Sequence, residues 1–186
     1  MTLRFTPFAV LAAAVVLSAC AGMASPGGMA RPFSQEALPD GVKVPAGFRV
    51  AMESVGVGEI TYECRAKADV AGAFEWAFVG PKADLNSRAG ARLGSYFGPP
   101  ATWVSNDGSR ITGTQLAVAP GGSGNIPLQL VKANPATGMG AMNGITHIQR
   151  VATRGGVAPA SGCDAAGVGR KEIVKYQADY IFWKAA

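Results

Sequence analysis

The sequence predicts an all-β fold of mainly antiparallel strands, arranged as a single-domain sandwich or barrel of roughly seven or eight strands. Three observations support this prediction: apolar and polar residues alternate along several short segments, turn signals separate these segments, and Gly and Pro are abundant. The chain has 25 Gly and 12 Pro among its 186 residues. Because these two residues are the poorest helix formers, a helix bundle or a long coiled coil is excluded.

The composition also narrows the functional class. Apolar residues make up 48% and charged residues 16% of the chain, which excludes a disordered tail. The net charge is +5 and Lys and Arg form no run, so we expect no nucleic acid partner. The chain has one His and three Cys, which leave little material for a metal site, and we expect neither a metal nor a cofactor.

Residues 1–19 have the pattern of a secretory signal peptide. Arg4 is followed by an apolar run, Phe5–Leu17, that is too short to span a bilayer, which requires about 20 residues. The run ends at Leu17-Ser18-Ala19-Cys20, which resembles the lipobox of bacterial lipoproteins. This resemblance implies cleavage before Cys20 and attachment of acyl chains such as palmitate, which would anchor the protein to a membrane. The alternative is an ordinary secretory signal that happens to contain a cysteine.

Residues 20–38 are predicted to form the lipidated cysteine and a flexible tether. The segment contains Ser25-Pro26-Gly27-Gly28 and has no strand or helix periodicity, although Phe33–Leu38 fits a short helical turn. Ala21 follows the lipidated cysteine, whereas Asp at that position favours inner-membrane retention in enterobacterial lipoproteins. We therefore expect a lipid-anchored protein of the bacterial cell envelope, held at the outer membrane on its periplasmic or surface face.

The folded domain is predicted over residues 39–186, where no internal repeat is visible. Gly58–Arg65 is the clearest strand, because its apolar and polar residues alternate strictly. Phe48–Ser54 is its expected antiparallel partner, joined to it through Gly56 and Gly58.

The remaining strands are separated by recognisable turns. Phe74–Val79 is stopped by Gly80-Pro81, and Asp107-Gly108 is a hairpin signal between two β-rich segments. Further strands are expected at Thr102–Asn106, Arg110–Val118, Ile145–Thr153 and Glu172–Trp183. Ile126–Ala133 fits a short helix as well as a strand, so both assignments stay open for this segment.

Cys64 and Cys163 are expected to form a disulfide, because export places them in an oxidising compartment and they are the pair that remains beside Cys20. The bond would close a loop of about a hundred residues and stabilise the domain by ~4–5 kcal/mol in the chain-entropy model. The alternatives are two unrelated buried thiols, or a catalytic cysteine with His147 as its base, although His147 lies on another predicted strand.

Several short segments of the domain, taken in order, resemble the family called domain of unknown function 3455, which occurs in secreted bacterial and fungal proteins. The matching segments include Ile60-Thr61-Tyr62-Glu63-Cys64, Asp107-Gly108-Ser109 and Gly155-Gly156-Val157-Ala158-Pro159. The resemblance covers Leu38–Ala186 and depends on the order of the segments rather than on any single one. The family has His-Tyr before a Gly-Pro-Thr-Trp run where this chain has Ser95-Tyr96, which argues against chemistry that needs that His.

No catalytic site is predicted. The segment Gly138–Gly144 has GxGxxxG spacing and no βαβ unit around it, so we expect no nucleotide partner and interpret the segment as a mobile loop. A GxSxG nucleophile motif does not occur in the chain. Glu63 and Glu75 lie on neighbouring predicted strands and would form a carboxylate pair if they converge, but solvated strand faces explain them more simply.

The candidate binding residues are three aromatics and two arginines. Tyr96, Phe97 and Trp103 lie in a Gly- and Pro-rich segment with little expected backbone pairing, where they would form an exposed stacking surface for a sugar or peptide. Arg150 and Arg154 would bind an anion nearby, because a guanidinium offers a bidentate fork. The alternatives are that the aromatics pack in the core and that the arginines form a structural salt bridge or clamp a loop.

Three functional classes stay open. A non-catalytic binding or structural module is favoured, because the sequence combines an anchor, a tether and one β domain without a catalytic constellation. One alternative is an accessory subunit of an envelope assembly, which its partner would recognise by pairing with an edge strand. The other is an envelope hydrolase acting on sugar or peptide. The expected partners are a membrane, reached through the lipid anchor, and an unidentified envelope protein or glycan.

Overall fold

Eight antiparallel strands form one sheet that closes on itself as a barrel, since each strand pairs with its neighbours in sequence and the last pairs with the first. The strands are β1 Phe48–Ala66, β2 Phe74–Asn86, β3 Arg92–Phe97, β4 Thr102–Ser105, β5 Arg110–Ala119, β6 Leu128–Ala133, β7 Ile145–Gly155 and β8 Lys171–Ala185. The helical elements of the described chain are two 3-10 turns, Asp40–Val42 and Ala165–Gly167. The predicted all-β fold is confirmed, and the barrel is the form that the chain adopts.

The computed structural model describes residues 1–2 and 32–186. All eight strands belong to the unit Phe33–Ala186. The predicted signal peptide, the lipidation site Cys20 and most of the predicted tether lie outside the described residues. Within the part of the chain that the structure describes, no helix has the length and apolar character that crossing a membrane requires.

Glycines and a proline that indicated turns in the sequence lie inside long strands. β1 runs through Gly56 and Gly58 without a turn, so Phe48–Ser54 continues the strand of Gly58–Arg65 and is not its antiparallel partner. The neighbouring strands come too close for a side chain at either glycine. A Cβ atom at Gly56 would lie 2.5 Å from the Cε2 atom of Tyr180, and one at Gly58 would overlap the carbonyl oxygen of Lys82. β2 likewise continues through Gly80-Pro81, which lie next to a bulge in its register with β1 and just outside its pairing with β3.

Two further segments differ from their sequence-based assignments. The segment Gly94–Trp103, expected to be a loop, contains most of β3 and the start of β4, which pair with Tyr96 opposite Trp103. The open assignment over 126–133 is resolved, since Leu128–Ala133 is a strand that pairs with both β5 and β7.

The barrel interior holds the larger of two hydrophobic cores. Its largest side chains are the aromatic rings of Tyr62, Tyr96, Trp103, Tyr176, Tyr180 and Phe182. Tyr96 stacks on Trp103 with ring centroids 4.9 Å apart, and Tyr180 packs against both rings. Alternate residues of each strand point inward, so these rings fill the space that a closed sheet encloses.

A second core lies on the outer face of the barrel under the N-terminal strap, which is Phe33–Val44. Strap residues Val42 and Val44 are buried in one cluster with Leu130, Ile181 and Trp183, the outward residues of β6 and β8. The sequence assigns Phe33–Leu38 to the tether, whereas Phe33 packs edge-to-face on Trp183 with ring centroids 6.2 Å apart. The strap is therefore part of the folded unit.

Gln149 of β7 is the polar centre of this outer core. Its amide nitrogen donates hydrogen bonds to the carbonyl oxygen of Val42 at 2.7 Å and to the side-chain oxygen of Gln35 at 3.1 Å. Its amide oxygen accepts a hydrogen bond from the indole N–H of Trp183 at 2.9 Å. Because Gln149 is fully buried, these bonds satisfy polar groups that would otherwise lie unpaired beneath the strap.

The predicted disulfide between Cys64 and Cys163 is present, and it joins the β7–β8 loop to β1. It lies where β1, β2 and β8 run past the ends of the shorter strands. The indole N–H of Trp76 donates to the carbonyl oxygen of Ser161 at 2.9 Å, and the guanidinium of Arg170 lies 5.2 Å from the centroid of the Trp76 ring. The loop is thus held against the inner face of the extended strands at three points.

The opposite end of the barrel is closed by the β4–β5 turn and the β6–β7 loop. Asp107 in the turn accepts hydrogen bonds from the backbone N–H and the hydroxyl of Ser109, and from the backbone N–H of Ala141 at 2.7 Å. These hydrogen bonds lower the pKa of Asp107 to about 2. The segment Gly138–Gly144, interpreted from the sequence as a mobile loop, is therefore tied to the turn, and its Met142 is buried in the interior core.

Candidate functional site

A pocket of about 340 Å³ opens at the end of the barrel where the β3–β4, β5–β6 and β7–β8 loops lie. The residues that matter for its chemistry are Tyr62, Phe78, Tyr96, Pro99, Gln129 and Arg150. We call this site the mouth pocket. Its volume is at the lower end of the range for small-molecule sites in proteins.

Strand register explains why a charged residue faces the interior at this point. Arg150 of β7 lies opposite Tyr180 of β8 and opposite Gln129 of β6. Tyr180 is an interior residue, and directly opposed residues of paired strands share a face. Arg150 therefore points into the barrel, whereas the preceding residue, Gln149, points outward beneath the strap.

The guanidinium of Arg150 is only partly engaged by the protein. Its Nε and Nη2 atoms donate to the carbonyl oxygen of Pro127 at 3.1 and 2.9 Å. A guanidinium has five N–H donors, and the other three have no partner among the described residues. Within that same part of the chain, Arg150 also forms no ion pair with a carboxylate.

The tyrosines around Arg150 do not neutralise it. Burial raises the pKa of Tyr62 and Tyr96, and the positive charge of Arg150 opposes that rise at both phenols. The same burial raises the pKa of Tyr176 and Tyr180 still further. These phenols therefore stay neutral at ordinary pH, and Arg150 carries the one formal charge among the described residues that line the pocket.

An exposed aromatic ring forms the wall of the pocket on the side of the long strands. Phe78 lies opposite Tyr62 in the β1–β2 register, so both rings project to the same face, with centroids 6.0 Å apart. Phe78 remains 54% exposed even though it lines the pocket. The mouth pocket therefore combines accessible apolar surface with a single guanidinium.

The predicted binding residues do not form one surface. Tyr96 and Arg150 meet in the mouth pocket, but Trp103 is 1% exposed and lies behind Tyr96 in the interior core. The expectation that Tyr96 and Trp103 are exposed is wrong, because they lie opposite one another on two paired strands and both point inward. Tyr96 itself is 5% exposed and contributes to the inner wall of the pocket.

Phe97 and Arg154 point away from the mouth pocket. Phe97 follows Tyr96 on β3 and therefore faces outward, where it is 42% exposed and lines an outer cavity of about 670 Å³ that also contains Val57. Arg154 is exposed and lies opposite Gln177, so it does not share a face with Arg150. Arg150 and Arg154 therefore do not form the predicted anion-binding site.

The other candidate groups are engaged elsewhere. Glu63 pairs with Arg65 at 3.1 Å, which lowers the pKa of Glu63, and Glu75 pairs with Lys67 at 3.7 Å, so each carboxylate is engaged in an ion pair of its own. His147 packs edge-to-face on Phe48, and burial lowers its pKa. The described residues contain no group of three or more His, Cys, Asp or Glu side chains that would hold a metal ion.

Sequence reasoning did not single out Tyr62, Phe78 or Gln129 as site residues. The alternation along Gly58–Arg65 does place Tyr62 on the inward face, and Phe74, Trp76 and Phe78 recur at the spacing of one strand face. These signals identify an inward face. They do not distinguish a ring buried in the core from one that lines an opening.

The fold and the site together define an all-β domain, a closed antiparallel barrel with a ligand-sized pocket at one end. Residues 45–184 match the family described as protein of unknown function (DUF3455), and the chain belongs to this family. The resemblance noted from the sequence is thus confirmed for the domain. Comparison with the curated proteins and with the solved structures gave no match.

Proposed function

We propose that this protein is a non-catalytic module of the bacterial cell envelope that binds a small molecule and is anchored to a membrane through lipidated Cys20. The observation that supports binding is the mouth pocket, where the guanidinium of Arg150 faces accessible aromatic surface. Ligand sites are typically concave and mostly apolar, with a few polar groups that orient the ligand. The mouth pocket has this composition.

The titratable groups that line the pocket favour binding over catalysis. General acid–base catalysis needs a group whose pKa lies near the operating pH. Burial raises the pKa of Tyr62 and Tyr96 away from neutrality, and a guanidinium stays protonated in proteins. These described groups can position a ligand by hydrogen bonds and charge, but they are poorly suited to accept or deliver a proton.

Two exposed phenylalanines provide a matched test of the pocket. The mature protein would be screened by ligand-observed NMR against a panel of small aromatic and aliphatic compounds, and each binder would be titrated against Phe78→Ala and Phe97→Ala. Phe78→Ala removes a wall of the pocket and should weaken binding several-fold, roughly up to tenfold. Phe97→Ala removes a ring of comparable exposure from the outer face and should leave the affinity unchanged.

The melting temperatures of both variants serve as the control for folding, because neither ring is buried. A panel with no binder, or binders that respond equally to the two substitutions, would contradict a ligand site at the barrel mouth. Binding that is weakened by Phe97→Ala alone would move the contact surface to the outer face. Capture of an envelope protein that depends on Phe97 would favour the accessory-subunit alternative.

The lipid anchor rests on the Leu17-Ser18-Ala19-Cys20 run and has its own test. Protein extracted from membranes with detergent should have an intact mass that places acyl additions on an N-terminal Cys20. Changing Cys20→Ser should leave the precursor uncleaved by the lipoprotein peptidase. A mature chain that begins beyond Cys20 and carries no acyl group would contradict the anchor.

A further inference from the structure

We propose that the mouth pocket selects a carboxylate borne on a planar apolar group, with the carboxylate on Arg150 and the planar group against Phe78. This inference rests on the proposed function, because it names the ligand class of the same site. It follows from the free edge of the guanidinium, from the charge balance of the pocket and from the shape of the aromatic wall.

The free edge of Arg150 has the geometry that a carboxylate requires. Pro127 occupies one side of the guanidinium, since a single carbonyl oxygen accepts from both Nε and Nη2. The remaining donors are the two on Nη1 and one on Nη2, which point along the end of the side chain. A planar group with two oxygens can accept two parallel hydrogen bonds from such an edge.

The charge balance of the pocket favours a monoanion. One guanidinium provides a single positive charge, and no other charged side chain is among the described lining residues. A carboxylate neutralises that charge, whereas a dianion such as a phosphate monoester would bring a second negative charge to a pocket whose described lining offers no second positive charge. An uncharged ligand could accept hydrogen bonds from Arg150 but would leave its positive charge without a counter-charge once it displaced water.

The walls of the pocket favour a flat apolar group next to the carboxylate. The accessible ring of Phe78 lies on one side, and Pro99 of the β3–β4 loop and Ile126 of the β5–β6 loop line the same pocket. Aromatic rings associate edge-to-face or offset-stacked, and Phe78 already meets Tyr62 edge-to-face. An aromatic or similarly planar ring fits beside it.

Benzoate and benzamide are suitable probes, because they share a ring and differ in charge. Their dissociation constants would be measured by ligand-observed NMR on the mature protein, with phenyl phosphate and inorganic phosphate alongside. Benzoate should bind the wild-type protein at least about tenfold more tightly than benzamide, since charge-assisted hydrogen bonds are the strong ones. Arg150→Gln should remove that preference, so that benzoate and benzamide bind this variant with similar affinities.

Arg154→Gln is the matched control, because it removes a guanidinium from the outer face of the same strand. It should leave the affinity for benzoate unchanged. Arg150→Gln removes donors to Pro127 and can perturb the fold, so Gln129→Glu provides an independent variant. Glu at 129 would lie opposite Arg150, occupy its free edge and block benzoate while Arg150 remains.

The possible outcomes separate the inference from the proposed function. Benzoate and benzamide that bind alike, or benzoate binding that survives both Arg150→Gln and Gln129→Glu, would overturn the carboxylate assignment while a Phe78-dependent pocket stands. Tighter binding of phenyl phosphate than of benzoate would overturn the monoanion assignment. If no aromatic probe binds in a Phe78-dependent way, the inference fails, and if no compound of the aromatic and aliphatic panel does so, the proposed function fails as well.

Discussion

Replacing Gln149 by Leu should destabilise the protein strongly, because the Gln149 side chain links the strap to the barrel. Leu preserves most of the volume but leaves two buried groups unpaired, the carbonyl oxygen of Val42 and the indole N–H of Trp183. Each unsatisfied buried group costs about 1–3 kcal/mol, so the pair predicts a loss of about 2–6 kcal/mol in the free energy of unfolding. Gln149 is 0% exposed, so solvent cannot replace the lost bonds unless the strap moves away.

Urea unfolding followed by circular dichroism and tryptophan fluorescence measures this loss. Gln129→Leu is the control, because Gln129 lies on the neighbouring strand and its hydrogen bond to Gln115 is solvent-accessible. That control should change the stability by no more than about 0.5 kcal/mol. The m-value separates two modes of failure, since detachment of the strap in the native state reduces the surface exposed on unfolding and lowers m.

A loss below about 1 kcal/mol for Gln149→Leu, with an unchanged m-value, would refute this reasoning. That result would mean that the Val42 carbonyl and the Trp183 indole find other partners without cost. An equal loss for the two Gln→Leu variants would also refute it, because the argument depends on burial rather than on residue type. Gln35 offers a further check, since Gln35→Ala removes an acceptor of the same amide and both side-chain partners of the Val44 backbone, and it should therefore also destabilise the protein.

The remaining predictions concern the two ends of the barrel. Replacing Cys64 and Cys163 together by Ala should lower the free energy of unfolding by about 2–5 kcal/mol, measured by urea unfolding. A drop below about 1 kcal/mol would contradict a stabilising role of the disulfide. Asp107→Asn should lower the melting temperature at neutral pH, because hydrogen bonds from Ser109 and Ala141 depress the pKa of this carboxylate to about 2. A depressed carboxyl pKa stabilises the fold above the unfolded pKa of about 4, so the difference between the two proteins should narrow as pH falls from about 4 to about 2. A difference that is constant with pH would contradict the assignment.

The strands and their alternation could be predicted from the sequence, whereas the closure of the barrel could not. A residue pattern such as that of Gly58–Arg65 depends on one strand and its two faces, so it is visible locally. Gly56 and Gly58 have two possible meanings, a turn or a close approach of another strand. Tyr180 and Lys82 decide between them here, and both are far away in the sequence. The long β1 strand therefore emerges only with its neighbours in place.

The candidate site was predicted only in part, because local sequence patterns do not show which strands are neighbours. Residue type identified Tyr96 and Arg150, but composition suggested a loop where β3 and β4 form a pair. Once Tyr96 lies on a strand, Phe97 must face the other way, and a patch that contains both rings is impossible. The direction of Arg150 depends on its register with Tyr180, which no local pattern specifies.

Unequal strand lengths explain why the pocket lies at one end of the barrel and not at the other. β1 and β2 have 19 and 13 residues, whereas β3 and β4 have 6 and 4. Beyond Lys82, which pairs with the last residue of β3, the β2 strand has no β3 partner, so Phe78 projects over space that loops border. At the closed end the loops are tied together through Asp107, and Met142 fills the interior. The opening thus forms where the pairing between β2 and β3 stops. Side chains alternate along β7, so Arg150 points to the inner edge of the opening while Gln149, the residue before it, lies beneath the strap.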